Sequence, residues 1–154
     1  TPYKIVANIP YHITSPLLRH AFSESIPPVS LTLLTQREVA EKICDTKNAS
    51  RLTVLIALFG KPKIIQMVPP SAFLPPPKVD SAILFVHSFP KPKADPPIID
   101  RIFELTHKAF GQKRKMLRNT IDIHLLQQAG IDPTRRPQTL SIDEWIALAK
   151  VPLH

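Results

Sequence analysis

Eighteen prolines among 154 residues decide where regular structure can run in this chain. Each proline fixes its own φ, withholds a backbone donor and pushes the residue before it out of the helical region. Ile5-Val6-Ala7 therefore reads as a short buried strand that must stop at Pro10, which leaves Asn8-Ile9-Pro10-Tyr11 at a strand's C-terminal end. Thr14 or Ser15 can cap a helix with Pro16 in its first turn, and Leu17, Leu18, Ala21 and Phe22 supply the helical apolar spacing as far as Pro27-Pro28. Ser30 to Thr35 reads as a second strand. A helix through Val39, Ala40 and Ile43 follows, then a helical stretch from Leu52 to Phe59 that Gly60 and Pro62 end. Ile64 to Val68 and Ser81 to Phe89, rich in Ile, Val and Phe, read as strands. The proline-dense segment from Pro69 to Lys78 joins them, and its stiffness makes it a good mount for one side chain.

Beyond Phe89 the character changes. Pro90, Pro92, Pro96 and Pro97 with intervening lysines make an extended linker, so the expected organisation is a first unit over 1–89, a linker over 90–97 and a helical unit over 98–154. Ile98, Ile102, Leu105 and Ala109 form one amphipathic stripe, broken at Gly111. Leu117 and Ile121 begin another, Leu125, Leu126 and Ala129 a third closed by Gly130, and Asp143 to Ala149 a last helix capped by Ser141. The order of elements predicts half of an open α/β sheet followed by a small all-α domain. Ligands of such sheets bind outside the carboxyl ends of the strands, where Asn8 to Tyr11 falls.

A net charge of +8 creates a field that attracts polyanions. No apolar run approaches the roughly 18 residues that a membrane span needs, so no membrane role is expected. The single cysteine, Cys44, cannot form an internal disulfide and has no metal-ligand company, which fits a reducing cytoplasm. Six scattered histidines show no ligand spacing, and no metal is expected. The three glycines, Gly60, Gly111 and Gly130, lie too far apart to build a phosphate-cradling loop.

Three groups of residues carry candidate chemistry. An exocyclic adenine amine is a poor nucleophile, because its lone pair is delocalised into the ring, and it has to be held in line with the group it attacks. The Asn8 side-chain oxygen and the carbonyl of Ile9 or Pro10 can accept from such an amine while Tyr11 stacks on the base. Proximity and orientation would then supply most of the rate. The bland alternative is a turn with an Asx-type hydrogen bond. Phe73, presented by the proline loop, offers a second stacking wall for a flipped base, or else plugs the space beside the sheet. Lys108, Lys113, Arg114, Lys115 and Arg118 lie on or beside a helix, with Arg114 and Arg118 four apart on one face, and can grip phosphates if they are not simply a solvated face. Arg135 and Arg136 add to the same balance.

Taken together and in order, these segments resemble the KsgA-type rRNA adenine N6,N6-dimethyltransferases. The matching strings are Asn8-Ile-Pro-Tyr-His-Ile-Thr-Ser-Pro16, Pro69-Pro-Ser-Ala-Phe-Leu-Pro-Pro-Pro-Lys-Val-Asp-Ser81, Ala109-Phe-Gly-Gln-Lys-Arg-Lys-Met-Leu-Arg-Asn119 and Gly130-Ile-Asp-Pro133. The resemblance implies the C-terminal half of a Rossmann-like class I methyltransferase sheet and a helical domain that docks on the small ribosomal subunit. It implies transfer of four methyl groups from S-adenosylmethionine to two adjacent adenines near the 3′ end of small-subunit rRNA. Asn8 would touch both cofactor and target amine, Pro10 would offer backbone near that amine, and Tyr11 and Phe73 would flank the base. Lys78, Lys108, Lys113, Arg114, Lys115 and Arg118 would contact RNA.

The chain departs from the family at Ser50, before Arg51-Leu52, where a Tyr-Gly pair is usual. It is also expected to lack the upstream Gly-rich loop and acidic positions that make most of the cofactor pocket, so that it would be inactive by itself. Two rivals follow: the antibiotic-resistance branch acting on large-subunit rRNA, which shares Asn-Ile-Pro-Tyr, and a non-catalytic RNA- or ribosome-binding fragment. The expected partner is small-subunit rRNA in a small-subunit precursor, met by a monomer in the cytoplasm.

Overall fold

The computed structural model describes residues 1–8, 10, 13–24 and 26–153. Four strands, β1 (Lys4–Asn8), β2 (Ser30–Gln36), β3 (Gly60–Val68) and β4 (Ser81–Ser88), form one sheet in the order β1-β2-β4-β3. β1 and β2 run parallel, in the register Asn8 opposite Leu34. β4 is antiparallel to both its neighbours, with Ser81 opposite Gln36 and opposite Val68. The parallel pair needs a crossover, which α1 (Thr14–Ser23) supplies; α2 (Arg37–Cys44) and α3 (Arg51–Phe59) connect β2 to β3.

Alternation sorts the sheet residues onto two faces. Leu31, Leu33, Ala82, Leu84 and Val86 are buried on the face that α2 and α3 cover, and Ile5 and Ala7 pack against the same core. Val6, Thr32, Leu34 and Ile83 point the other way and line a hollow of about 310 Å³. Val6 is 79% exposed, so β1 is covered on one face only and is not the buried strand its apolar run suggests.

α3 explains how the layers join. Seven of its nine residues are buried, as expected of a helix apolar on all sides. It packs on β3, α1, α2, α4 (Pro96–Phe110) and α6 (Ile142–Lys150). Its start is secured where the family pattern breaks: the Ser50 hydroxyl accepts from the Thr53 N–H at 3.2 Å, and the Ser50 N–H donates to the Thr53 hydroxyl at 2.9 Å. This reciprocal cap fixes the helix start at Ser50, where the chain departs from the usual Tyr-Gly pair. α6 starts the same way, with Ser141 and Glu144 exchanging bonds.

Several sequence expectations are corrected. Gly60 and Pro62 do not simply end a helix; they open β3, four residues before the strand predicted at Ile64. Proline is tolerated there because β3 is an edge strand and needs only one partner. Ile13, not Thr14 or Ser15, occupies the N-cap position of α1, and Thr14 is buried. The stripe through Leu117 and Ile121 makes no α-helix, only a 3₁₀ turn at Leu117–Asn119. The Leu117 and Arg118 N–H groups donate to the Arg135 and Pro133 carbonyls at 2.7 and 3.1 Å, so the backbone bonds that would extend a helix are spent on a neighbouring loop. α5 (Ile123–Gln128) follows and ends at Gly130, whose φ of +73° is the left-handed conformation that glycine adopts without strain.

Gly60 is required for a different reason. A Cβ on it would lie 2.5 Å from the His87 carbonyl oxygen and 2.8 Å from a Val86 methyl. Gly60→Ala should therefore force β3 and β4 apart and lower the stability of the chain by about 1–3 kcal/mol, the usual range for overpacking. Urea unfolding monitored by circular dichroism checks this, and an unchanged midpoint would contradict so close an approach.

Candidate active cleft and nucleic-acid surface

A cleft of about 290 Å³ opens at the carboxyl ends of β1 and β2. Asn8 is the last residue of β1, Leu34 to Gln36 end β2, and Ser81 begins β4 opposite Gln36; all of them line it. The far wall is the proline loop, with Phe73, Pro75 and Pro77. Phe73 follows the 3₁₀ turn Pro70–Ala72, and its N–H donates to the Pro70 carbonyl at 3.1 Å, which ties the backbone under the ring. The ring is half-buried, whereas Asn8 and Pro10 are exposed.

The fold thus brings Asn8 and Pro10 together with Phe73, which lies more than sixty residues further along the chain. The Pro10 carbonyl accepts from the Ile13 N–H at 3.2 Å and keeps one lone pair for another donor. Tyr11, the second stacking residue expected from the sequence, lies outside the described residues, as does Ile9. Leu34, Thr35, Gln36 and Ser81 escaped the sequence reading. The rule that ligands gather at strand carboxyl ends points to residues 34–36, but nothing local signals the antiparallel start of β4.

The basic residues sit otherwise than expected. Lys108 is exposed in the last turn of α4, and Lys113, Arg114 and Lys115 occupy the turns after it. Arg118 is exposed in the 3₁₀ turn, so Arg114 and Arg118 do not share one helix face. Among the described residues no ion pair engages these five side chains. Lys113 and Arg114 border a groove of about 560 Å³ that also includes Lys42 and Arg51, neither of which the sequence singled out. Lys78 is exposed and lines a separate groove with Arg37 and Asp80. Arg135 is already committed: both its terminal nitrogens bond to Glu144, one of them at 3.1 Å. Among the described residues no cluster of three or more His, Cys, Asp and Glu is arranged to hold a metal, and no helix is long and apolar enough to cross a membrane.

Comparison with known proteins bears on this arrangement directly. A family model described as ribosomal RNA adenine dimethylase matches residues 1–151. The chain belongs to that family. It is 36% identical to the ribosomal RNA small subunit methyltransferase A of Alkaliphilus metalliredigens, over 97% of this chain and 57% of that protein. With the protein of the same name from Brucella canis it shares 44% identity over 95% of this chain and 56% of the relative. The chain therefore spans little more than half the length of these dimethylase relatives. Among solved structures it resembles the 23S rRNA methyltransferase ErmE at 25% identity, with a TM-score of 0.65 over 97% of this chain and 64% of that one. A dimethyladenosine transferase from Plasmodium falciparum, at 24% identity, superposes with a TM-score of 0.75 over 95% of this chain and 66% of the other, a likeness of fold. The mixed sheet with its following helices is thus part of the Rossmann-like fold of rRNA methyltransferases.

The Arg135 pair makes a measurable claim of its own. Its hydrogen bonds are the main reason that the Glu144 carboxyl sits below its ordinary range. A carboxylate depressed on folding contributes stability that is present above its unfolded value, near 4.3, and disappears as pH falls through the lower folded value. Glu144→Gln should therefore flatten the loss of stability between about pH 5 and pH 3, read from thermal melts across that window. An unaltered acid limb would mean that the pair is not formed in solution.

Proposed function

We propose that this chain supplies the base-holding cleft and an RNA-docking surface of an S-adenosylmethionine-dependent dimethyltransferase. Its substrate is the N6 amine of two adjacent adenines near the 3′ end of small-subunit rRNA, met in a small-subunit precursor in the cytoplasm by a monomeric enzyme. The observation that carries this reading is the convergence of Asn8, Pro10 and Phe73 on one cleft at the strand ends, in a chain of the rRNA adenine dimethylase family. The division of labour follows the chain, with the catalytic part over 1–89, the linker over 90–97, whose last two residues already form the first turn of α4, and the docking part over 98–154.

The cleft suits a planar base better than a charged metabolite. Among the described residues its lining holds no acidic or basic side chain, only the Asn8 and Gln36 amides, two hydroxyls, aliphatic and prolyl surface and one aromatic ring. The Asn8 side-chain oxygen and the free lone pair of the Pro10 carbonyl accept the two hydrogens of an exocyclic amine and turn its nitrogen lone pair outward. Phe73 stacks on one face of the ring, and Tyr11 is assigned the other. No titrating group is needed, because the amine sheds its proton only after its nitrogen has reacted; orientation is the catalytic contribution. S-adenosylmethionine, when bound, supplies an electrophilic methyl group. Asn8, at the edge of the sheet between the cleft and the hollow beside Val6, is the residue of this chain that would reach that cofactor.

In the complete enzyme, Phe73→Ala should depress methyl transfer by roughly five- to 150-fold, the equivalent of one lost base stack, with cofactor affinity nearly unchanged. Tyr11→Ala should behave alike. Asn8→Ala should act chiefly on the chemical step under single turnover. Calorimetry with S-adenosylmethionine and single-turnover assays on small-subunit particles separate these effects. A Phe73 variant that loses cofactor binding while keeping rRNA affinity would refute the assignment.

A further inference from the structure

Two acceptors on an exocyclic amine do not by themselves select adenine. The Asn8 side-chain oxygen and the Pro10 carbonyl turn away guanine and uracil, whose corresponding position is a carbonyl oxygen, but cytosine presents the same amine beside a ring nitrogen. Size cannot separate the two, since a cleft open enough for a purine also admits a pyrimidine. What adenine alone offers on the other side of its amine is N7, an acceptor on the five-membered ring; cytosine has a C–H in that place. Telling them apart needs a hydrogen-bond donor aimed at N7.

Gln36 is the side chain of the cleft placed to supply it. It ends β2 directly opposite Ser81, and its backbone is held in place: the ladder pairs it with β4, and the next N–H, that of Arg37, donates to the Asp80 carbonyl at 2.9 Å. Gln36 also occupies the N-cap position of α2, where side-chain oxygens commonly accept from the first turn, yet its amide makes no capping bond and is exposed at the cleft. Among the described residues that amide has no hydrogen-bond partner. Asn8 is opposite Leu34 in the β1–β2 pair, so alternation puts Asn8, Leu34 and Gln36 on one face of the sheet. Strand geometry separates the Cα atoms of Asn8 and Gln36 by roughly 8 Å, a span that two amide side chains can close around one edge of a base. The two hydroxyls of the lining are less suited. Alternation turns Thr35 to the opposite face, and Ser81 sits one strand further from Asn8 on a shorter side chain.

We infer that Gln36 is the residue by which this cleft distinguishes adenine: its side-chain N–H donates to N7 of the target base while Asn8 and Pro10 hold the amine and Phe73 covers one face. The inference deepens the reading of the cleft as an adenine site and rests on it. Gln36 moves no proton and meets no methyl group. It fixes the rotation of the base in its own plane, which stacking on Phe73 leaves free.

Removing the two partners of that bond separately and together tests it. Single-turnover methyl transfer by the complete enzyme is measured on small-subunit particles carrying adenosine, 7-deazaadenosine or 1-deazaadenosine at the two target positions. With adenosine, Gln36→Ala should slow transfer by about two- to twelvefold, the worth of one neutral hydrogen bond. With 7-deazaadenosine, which has C–H in place of N7, the enzyme should already be slowed to a similar extent, and Gln36→Ala should cost nothing further. With 1-deazaadenosine the full penalty of Gln36→Ala should remain. Gln36→Met, similar in length but without a donor, should follow Gln36→Ala on all three substrates, and circular dichroism verifies that both variants are folded. A penalty that is equal on adenosine and 7-deazaadenosine, or that vanishes only with 1-deazaadenosine, overturns the inference. If Phe73→Ala and Asn8→Ala slow transfer while Gln36→Ala does not, the adenine cleft stands and the role of Gln36 falls. If none of the three slows it, both fall.

Discussion

Burial of α3 is the constraint on which the other elements depend. Leu52, Val54, Leu55, Ile56, Leu58 and Phe59 leave it no polar face, and it needs cover on every side. The sheet covers one side through β3, while α1, α4 and α6 cover the rest, with Phe22 stacked on Phe59 at a centroid distance of 4.3 Å. Because one helix contributes to the packing of both the sheet and the later helices, a single hydrophobic cluster runs from Leu31 and Leu84 to Ile102, Leu126 and Trp145. The placement of the cleft and of the cationic groove follows. The cleft lies at the strand ends, whereas the cationic groove lies where the start of α3 meets the end of α4.

These two surfaces work through forces of different range. In the cleft, short hydrogen bonds and stacking act only within contact distance, so under the proposed function a base would have to be positioned to within fractions of an ångström, a need that the stiff proline loop would serve. In the groove, cations of which Lys42 alone has an ion-pair partner among the described residues act over about a Debye length, roughly 8 Å at physiological salt, and tolerate looser geometry. Under the proposed function, an enzyme that held phosphates loosely and a base tightly would scan many sites on a polyanion and react at few of them. Phosphate contacts carry no sequence information in themselves; in the proposed enzyme the cleft would have to provide the selection.

Much of this was legible in the amino-acid order. Asn8 could be put at a strand end because Pro10 stops the strand, and the start of α6 could be placed because Ser141 is a capping residue ahead of its apolar positions. The stripe Ile102, Leu105, Ala109 marked the buried side of α4. The misreadings have a common cause, which is that backbone donors chose distant partners. The Leu117 N–H bonds to the Arg135 carbonyl and turns an apparent helix into a 3₁₀ turn, and the pairing of Gly60 with Ser88 draws Gly60 and Pro62 into an edge strand. No local pattern reveals either partner.

Local rules act through neighbours in the chain, and the sequence alone determined what they control: the kinds of elements, their order, the stiffness of the proline loop and an excess of positive charge seeking an anion. Tertiary structure decided which of those charges remain free. Arg135 and Arg136 are adjacent in sequence, yet Arg135 is spent on Glu144; Lys42 and Arg114 are seventy-two residues apart, yet they border one groove. The same holds for Val6, apolar like its neighbours but left open because α2 and α3 pack against the opposite face of the sheet. Exposure and pairing depend on what lies across a gap in space, and only the packing of the elements settles that.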